Sequence, residues 1–180
     1  MDNIMKITIL SSSLNKKSRS LVLSQYAKKM ISAQISDCTL LDLKMFDIPF
    51  CGEQGAYDHK NVIAIKNELA ESDAIIVSGP VYNYGVNAVT KNILDLTGEA
   101  WAEKPIGFIC MAGGQASYMS IMGFANSLML NFRSLIVPRF VYALPNSIDS
   151  ENSTIKDDSI KKRIDELCEN IIRLAQALKK

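Results

Sequence analysis

Short apolar runs rich in β-branched residues alternate with longer stretches of helical period along this chain. Four runs stand out: Lys6–Leu10, Cys38–Leu43, Ala74–Ser78 and Ile106–Met111. Each is short enough for a buried strand. A fifth, Leu135–Val141, is interrupted by Pro138, which predicts an edge strand or a bulge. Between them, Leu23, Tyr26, Ala27 and Met30 recur at helical spacing, as do Val62, Ile65 and Leu69, then Val89, Ile93 and Leu96. Ile121, Ala125, Leu128 and Phe132 mark a fourth helix, and Met122, Met129 and Leu130 make it apolar on nearly every side. Such a helix is buried under its own fold or against another subunit; a subunit interface is slightly favoured. The last helix is the most regular, with Ile160, Ile164, Leu167, Ile171, Leu174 and Leu178 on one stripe. Asp157 and Asp158 near its start and Lys179 and Lys180 at its end suit the helix dipole. At under three heptads the stripe predicts a helix lying on a sheet rather than a coiled coil.

Strand and helix alternate throughout, so the class is α/β with a mainly parallel sheet and helices on both faces. Five strands and five helices fit a flavodoxin-like, five-stranded parallel sheet of order 2-1-3-4-5. One domain is expected over 1–180: core sheet and helices at 1–144, a polar linker at 145–154 and a C-terminal helix at 155–180. Ligands of such sheets bind at the carboxyl ends of the strands, where the winding reverses. That rule singles out three loops. Ser11–Ser20 holds five serines with Lys16, Lys17 and Arg19 and no acid, a composition for an anion or for a solvated turn with a Ser cap. Gly79–Asn87 carries Pro80, Tyr82, Tyr84 and Gly85. Ala112–Tyr118 carries Gly113 and Gly114, which leave backbone bare for close approach. One loop offers anion donors, one aromatic rings, one glycines: together, a site for a ligand with a phosphate and a flat ring.

Charge and cysteine usage narrow the field. A net charge of +1 argues against nucleic-acid and membrane-surface partners, and weakly against an acidic electron carrier. The four cysteines, Cys38, Cys51, Cys110 and Cys168, form no Cys-x-x-Cys pair, so neither a zinc site nor an iron–sulfur cluster is expected, and they read as reduced thiols of a cytoplasmic protein. No signal peptide and no membrane-spanning run is read from the apolar pattern. His59, the single histidine, sits in the polar Asp58-His-Lys60 and reads as a solvated loop residue rather than a hydrolase base. No Gly-x-Gly-x-x-Gly follows the first strand, so a Rossmann nicotinamide site is not expected. Phe46, Ile48 and Phe50 around Pro49 are expected to pin the long irregular stretch 44–60, with Gly52–Asp58 as a rim or substrate lid.

The Ser-rich loop after a strand, then Gly79-Pro-Val-Tyr-Asn83 with Lys91-Asn92-Ile-Leu-Asp95 following, then Ala112-Gly-Gly before a long helix, resembles the NAD(P)H-dependent FMN reductases. The resemblance runs from Lys6 to about Leu144. Ser18-Arg-Ser20 and the long last helix are similar to flavin reductases that serve two-component monooxygenases; azo-, quinone- and chromate-reductase-like proteins share the frame. Three positions depart from the family pattern. Ser12 stands where a glycine is usual, Asn15 where an arginine is usual, and Asn87 or Ala88 near a usual proline.

The resemblance implies FMN with its phosphate at Ser13, Asn15, Ser18, Arg19 and Ser20. Its ring would rest on Pro80, Val81, Tyr82, Asn83 and Tyr84 and against Gly113, Gly114 and Gln115. It further implies NADPH or NADH as co-substrate and no catalytic side chain or metal, because the flavin carries the chemistry. The acceptor would be a free flavin, quinone or other small electrophile. A homodimer or homotetramer and a flavin-dependent monooxygenase partner also follow from it. Trp101 is placed either at a flavin edge across a subunit boundary or, as a single tryptophan more often is, in packing. A flavodoxin-type electron carrier and a flavin-free binding module are the alternative readings.

Overall fold

A computed structural model describes residues 4–179 of the 180-residue chain. Its sheet follows the expected order. β1 (Lys6–Ser11) pairs in parallel with β2 (Asp37–Asp42) on one side and with β3 (Ala74–Tyr82) on the other. β3 in turn carries a two-residue antiparallel partner, β4 (Gly85–Val86). β5 (Pro105–Met111) pairs with β3, and the fifth position is filled in two pieces, β6 (Leu135–Ile136) and β7 (Val141–Ala143), both parallel to β5. The break falls where Pro138 cannot donate to the ladder and Arg139 takes a positive φ of 60°.

Alternation along the strands sends side chains to two separate cores. Ile7 and Ile9 of β1, Ile76 of β3 and Ile109 of β5 meet Leu23, Ala27 and Ile31 of α1 (Arg19–Ser32) and Ile164, Leu167 and Ile171 of α5 (Asp158–Leu178). Leu10, Ile75, Val77 and Phe108 face the other way. They pack on Ile65 and Leu69 of α2 (Lys60–Glu71), Ile93 of α3 (Ala88–Thr97) and Phe124 and Leu128 of α4 (Met122–Phe132). Trp101 belongs to this second core. It is fully buried, its Nε1 donates to Thr97 Oγ1 at 2.7 Å, and its ring meets Phe124 edge-on with centroids 6.4 Å apart. Of its two expected roles, packing is the one observed within the chain.

Side chains cap the helices. Ser18 Oγ accepts from Leu21 N at 3.1 Å, Asp157 Oδ1 from Ser159 N at 2.9 Å and His59 Nδ1 from Asn61 N at 3.4 Å. His59 is thus the α2 cap rather than a free loop residue. Residues 145–154 do connect the sheet to α5, but not as a plain polar tether. They include a 3₁₀ turn at Pro145–Ser147 and a hairpin of β8 (Ile148–Asp149) and β9 (Thr154–Ile155), whose Ile148 and Ile155 enter the first core.

Along 44–60, Phe46 and Ile48 pack on the second core, whereas Phe50 is exposed. The pin that replaces it is Asn92 of α3, whose Nδ2 donates to Pro49 O at 2.9 Å while its Oδ1 accepts from Cys51 N at 2.8 Å. α4 buries Phe124, Ala125 and Leu128 but leaves Met122 47%, Met129 40% and Leu130 74% exposed, so a single chain covers one of its apolar faces and not the other.

Candidate active site at the carboxyl edge of the sheet

The loops after β1, β3 and β5 converge on an open cleft of about 410 Å³. Nine of the thirteen expected site residues line it. Ser13, Asn15, Ser18, Arg19 and Ser20 come from the first loop and the start of α1; Pro80, Val81 and Tyr82 come from β3, and Gly113 follows β5. The other four lie beside it. Asn83 and Tyr84 form the tip of the β3–β4 hairpin with positive φ of 47° and 61°, as a two-residue type I′ turn requires of both central residues. β3 therefore runs four residues further than its apolar run suggests, and Pro80 and Val81 form a rigid wall rather than a loose loop. Gly114 and Gln115 lead from the cleft into the 3₁₀ turn Gln115–Ile121.

The Ser-rich stretch divides by direction. Ser11 and Ser12 are fully buried and face the protein, while Ser13, Ser18 and Ser20 face the cleft. Ser12 explains its own presence. Its Oγ donates to Asn87 Oδ1 at 2.9 Å and contacts Ser78 O at 3.3 Å, and Asn87 Nδ2 donates back to Ser12 O at 2.8 Å. That hydroxyl occupies the space a Cβ at Gly79 would need: the two would stand 2.1 Å apart. On the other side of the sheet, Ser24 Oγ donates to Ser20 O at 2.9 Å and accepts from Ser78 Oγ, 2.8 Å away. These buried polar groups tie the first loop, β3 and the starts of α1 and α3 into one frame. The frame is worth the most where no water competes.

Sequence reasoning missed the part played by Ser12 and Asn87 because an inward hydroxyl and an outward one look alike in a polar loop. It also missed Tyr142 of β7, whose Oη donates to Gly114 O and meets Ser117 Oγ at 3.0 Å, anchoring the glycine loop. The predicted strand order already placed the fifth strand beside the fourth, so an anchoring side chain at its carboxyl end was the available signal. Met111, Ala112, Lys17 and Pro145 complete the lining.

The donor set sorts by position. One end of the cleft has three hydroxyls, the Asn15 amide, Lys17, Arg19 and the first N–H groups of α1, the environment of a phosphate. The other has Pro80, Val81, Tyr82 and Met111 against Gly113, where a Cβ would meet nothing within 4 Å, the environment of a flat ring lying against backbone. These residues fit FMN. No cysteine takes part. Burial pushes the Cys110 and Cys168 thiols up to about 12 and that of Cys38 to about 11, so these three stay protonated and inert.

A sheet of this order with its cleft at the carboxyl edge defines a flavodoxin-like protein. Residues 5–149 match the NADPH-dependent FMN reductase family, and the chain belongs to it. A curated NADPH:quinone oxidoreductase of Arabidopsis thaliana is 28% identical over 110 residues, which span 57% of this chain and 56% of the relative. The flavoenzyme NAD(P)H:acceptor oxidoreductase of Paracoccus denitrificans superposes with a TM-score of 0.77 at 17% identity, over 97% of this chain and 98% of that one. An oxidoreductase of Corynebacterium diphtheriae superposes with a TM-score of 0.78 at 15% identity, over 99% and 100% of the two chains. No helix among the described residues is long and apolar enough to cross a membrane.

Proposed function

We propose that this chain is an FMN-dependent NAD(P)H oxidoreductase that passes reducing equivalents from a nicotinamide to a small acceptor such as a free flavin, a quinone or another electrophile. The observation that carries this reading is the sorting of one cleft into a hydroxyl-and-cation end and an apolar, glycine-walled end. FMN, when bound, supplies the hydride-accepting ring. Ser13, Asn15, Ser18, Arg19 and Ser20 hold its phosphate. Pro80, Val81, Tyr82, Asn83 and Tyr84 bound the ring on one side and Gly113, Gly114 and Gln115 on the other. The open mouth beside Tyr82 lets donor and acceptor use the same face in turn. The exposed apolar side of α4, with Met119 and Tyr118 beside it, supports a homodimer or homotetramer, which a Met122→Lys variant would shift toward monomer in sedimentation. A monooxygenase as acceptor partner and a cytoplasmic location belong to the same reading, the latter supported by four free thiols.

Anaerobic mixing of the FMN-loaded protein with NADPH and with NADH tests the reading. Bleaching of the flavin absorbance by at least one donor is expected. No bleaching by either leaves an electron carrier, and failure to take up FMN leaves a binding module.

A further inference from the structure

A second cleft, of about 570 Å³, adjoins the first and shares Lys17, Ser18 and Arg19 with it. It lies between the outer side of α1 and the β8–β9 hairpin. Lys16, Lys17 and Arg19 stand at the shared end, Leu21, Val22 and Ile148 supply apolar surface, and Gln25 and Ser150 supply polar groups. Arg19 Nε donates to Ser150 Oγ at 3.1 Å and so spans from loop to hairpin. Among the described residues, none of the three cations is ion-paired. The acid on the rim is Glu151; Asp149 behind it is engaged by Glu151 N at 3.0 Å, Asn152 N at 3.2 Å and Asn152 Nδ2 at 2.8 Å.

We infer that this second cleft binds the adenylate half of a dinucleotide, a 5′-phosphate on the Lys16–Arg19 cations with the nucleoside over Val22 and Gln25 beneath the hairpin. The inference builds on the FMN reading, which puts a phosphate at residues 18–20. A group bonded to that phosphate continues past Ser18 into the second cleft, where unpaired cations meet the next negative charge and a volume typical of small-ligand pockets receives a ribose and a purine. Two molecules carry this group: a flavin adenine dinucleotide, joined to the flavin phosphate itself, and the nicotinamide donor. The chemistry recognised is the same in both.

Lys16 separates the two clefts experimentally, because it borders only the second and is exposed. Calorimetric titration of 5′-AMP into protein saturated with FMN should show one-to-one binding that Lys16→Glu weakens about tenfold, with the Kd for FMN within about twofold of wild type. If Lys16→Glu raises the Kd of FAD and leaves the KM of the donor unchanged, the adenylate is that of the flavin. If it raises the KM of NADH or NADPH and leaves FAD unchanged, the adenylate is the donor's. Absence of 5′-AMP binding to the FMN-loaded wild type overturns the inference, as does equal weakening of FMN and FAD. Binding of 5′-AMP by a protein that takes up no FMN would keep the adenylate site and sink the flavin reading instead.

Discussion

The two ends of the sheet use similar side chains to opposite effect. At the amino edge the charges close on one another. Lys6 Nζ reaches Glu68 and Glu71 at 2.9 Å each, Asp73 accepts from Lys6 N at 2.8 Å and from Lys179 Nζ at 3.0 Å, and Lys104 Nζ donates to the Leu69 and Ala70 carbonyls at the end of α2. At the carboxyl edge Lys17 and Arg19, which line the cleft, have no carboxylate partner among the described residues, and three serine hydroxyls line it with them. A cleft of about 370 Å³ at the amino edge is lined by Asp73, Lys104 and Lys179, whose charges and donors already satisfy one another or nearby carbonyls, while the carboxyl-edge cleft keeps its cations unneutralised on a frame of buried hydroxyls and so suits an anionic ligand. Composition alone does not separate the two, because both edges are rich in lysine; partner geometry does.

Placing a negative charge in the cleft tests that contrast with the largest expected effect. Ser18→Asp should weaken FMN roughly a hundredfold and riboflavin little, since the added carboxylate opposes the phosphate at close range. Aspartate caps a helix as well as serine does, so thermal stability should hold. Equal loss of both ligands would mean that the hydroxyl end does not receive the phosphate. Next comes the buried frame. Gly79→Ala should cost about 2 kcal/mol in urea unfolding, because its Cβ displaces the Ser12 hydroxyl from Asn87. Adding Ser12→Ala should recover most of that loss, since Asn87 keeps Thr90 Oγ1 and Ser12 O as partners. A double variant no more stable than Gly79→Ala would show that the contact is not the source.

Gly113→Val should fold normally and weaken FMN and riboflavin alike by about tenfold, because its side chain enters open space on the ring side. A selective effect on FMN would reverse the assignment of the two ends. The smallest effect belongs to the amino edge. Burial raises the Glu68 carboxyl, but hydrogen bonds from Lys6, Thr39 and Thr8 outweigh it and hold it below the ordinary value of 4.5. A carboxylate held low in the fold adds stability above its unfolded value and loses it as the pH falls through the folded one. Lys6→Met should therefore be less stable than wild type at neutral pH, with the gap in urea midpoints narrowing below about pH 4. A gap independent of pH would mean that the pair contributes packing alone.

Much of the architecture was legible in the sequence because burial leaves a periodic trace. The strand runs, the interruption at Pro138 and the stripe of the last helix all reappear in the fold. What was not legible is direction within polar stretches. Ser12 and Ser13 are adjacent and chemically identical, yet one binds Asn87 across the sheet and the other lines the cleft. Gly79-Pro80 reads as a loop start, but β3 pairs with β5 through Pro80 and with β4 beyond it, extending the strand to Tyr82. The Lys91-Asn92 segment carries part of the resemblance, and its asparagine is a clamp on residues 49–51, outside the cleft lining. The outer face of α4 remains open in a single chain, where the sequence offered either self-burial or an interface.

The most direct test is a pair of equilibrium titrations of the wild-type protein with FMN and with riboflavin, followed by flavin fluorescence. A sorted cleft predicts saturable one-to-one binding of FMN at least about tenfold tighter than riboflavin, the difference being the phosphate's contacts with the Ser13–Ser20 end. Equal affinities, or no binding of FMN, would contradict it.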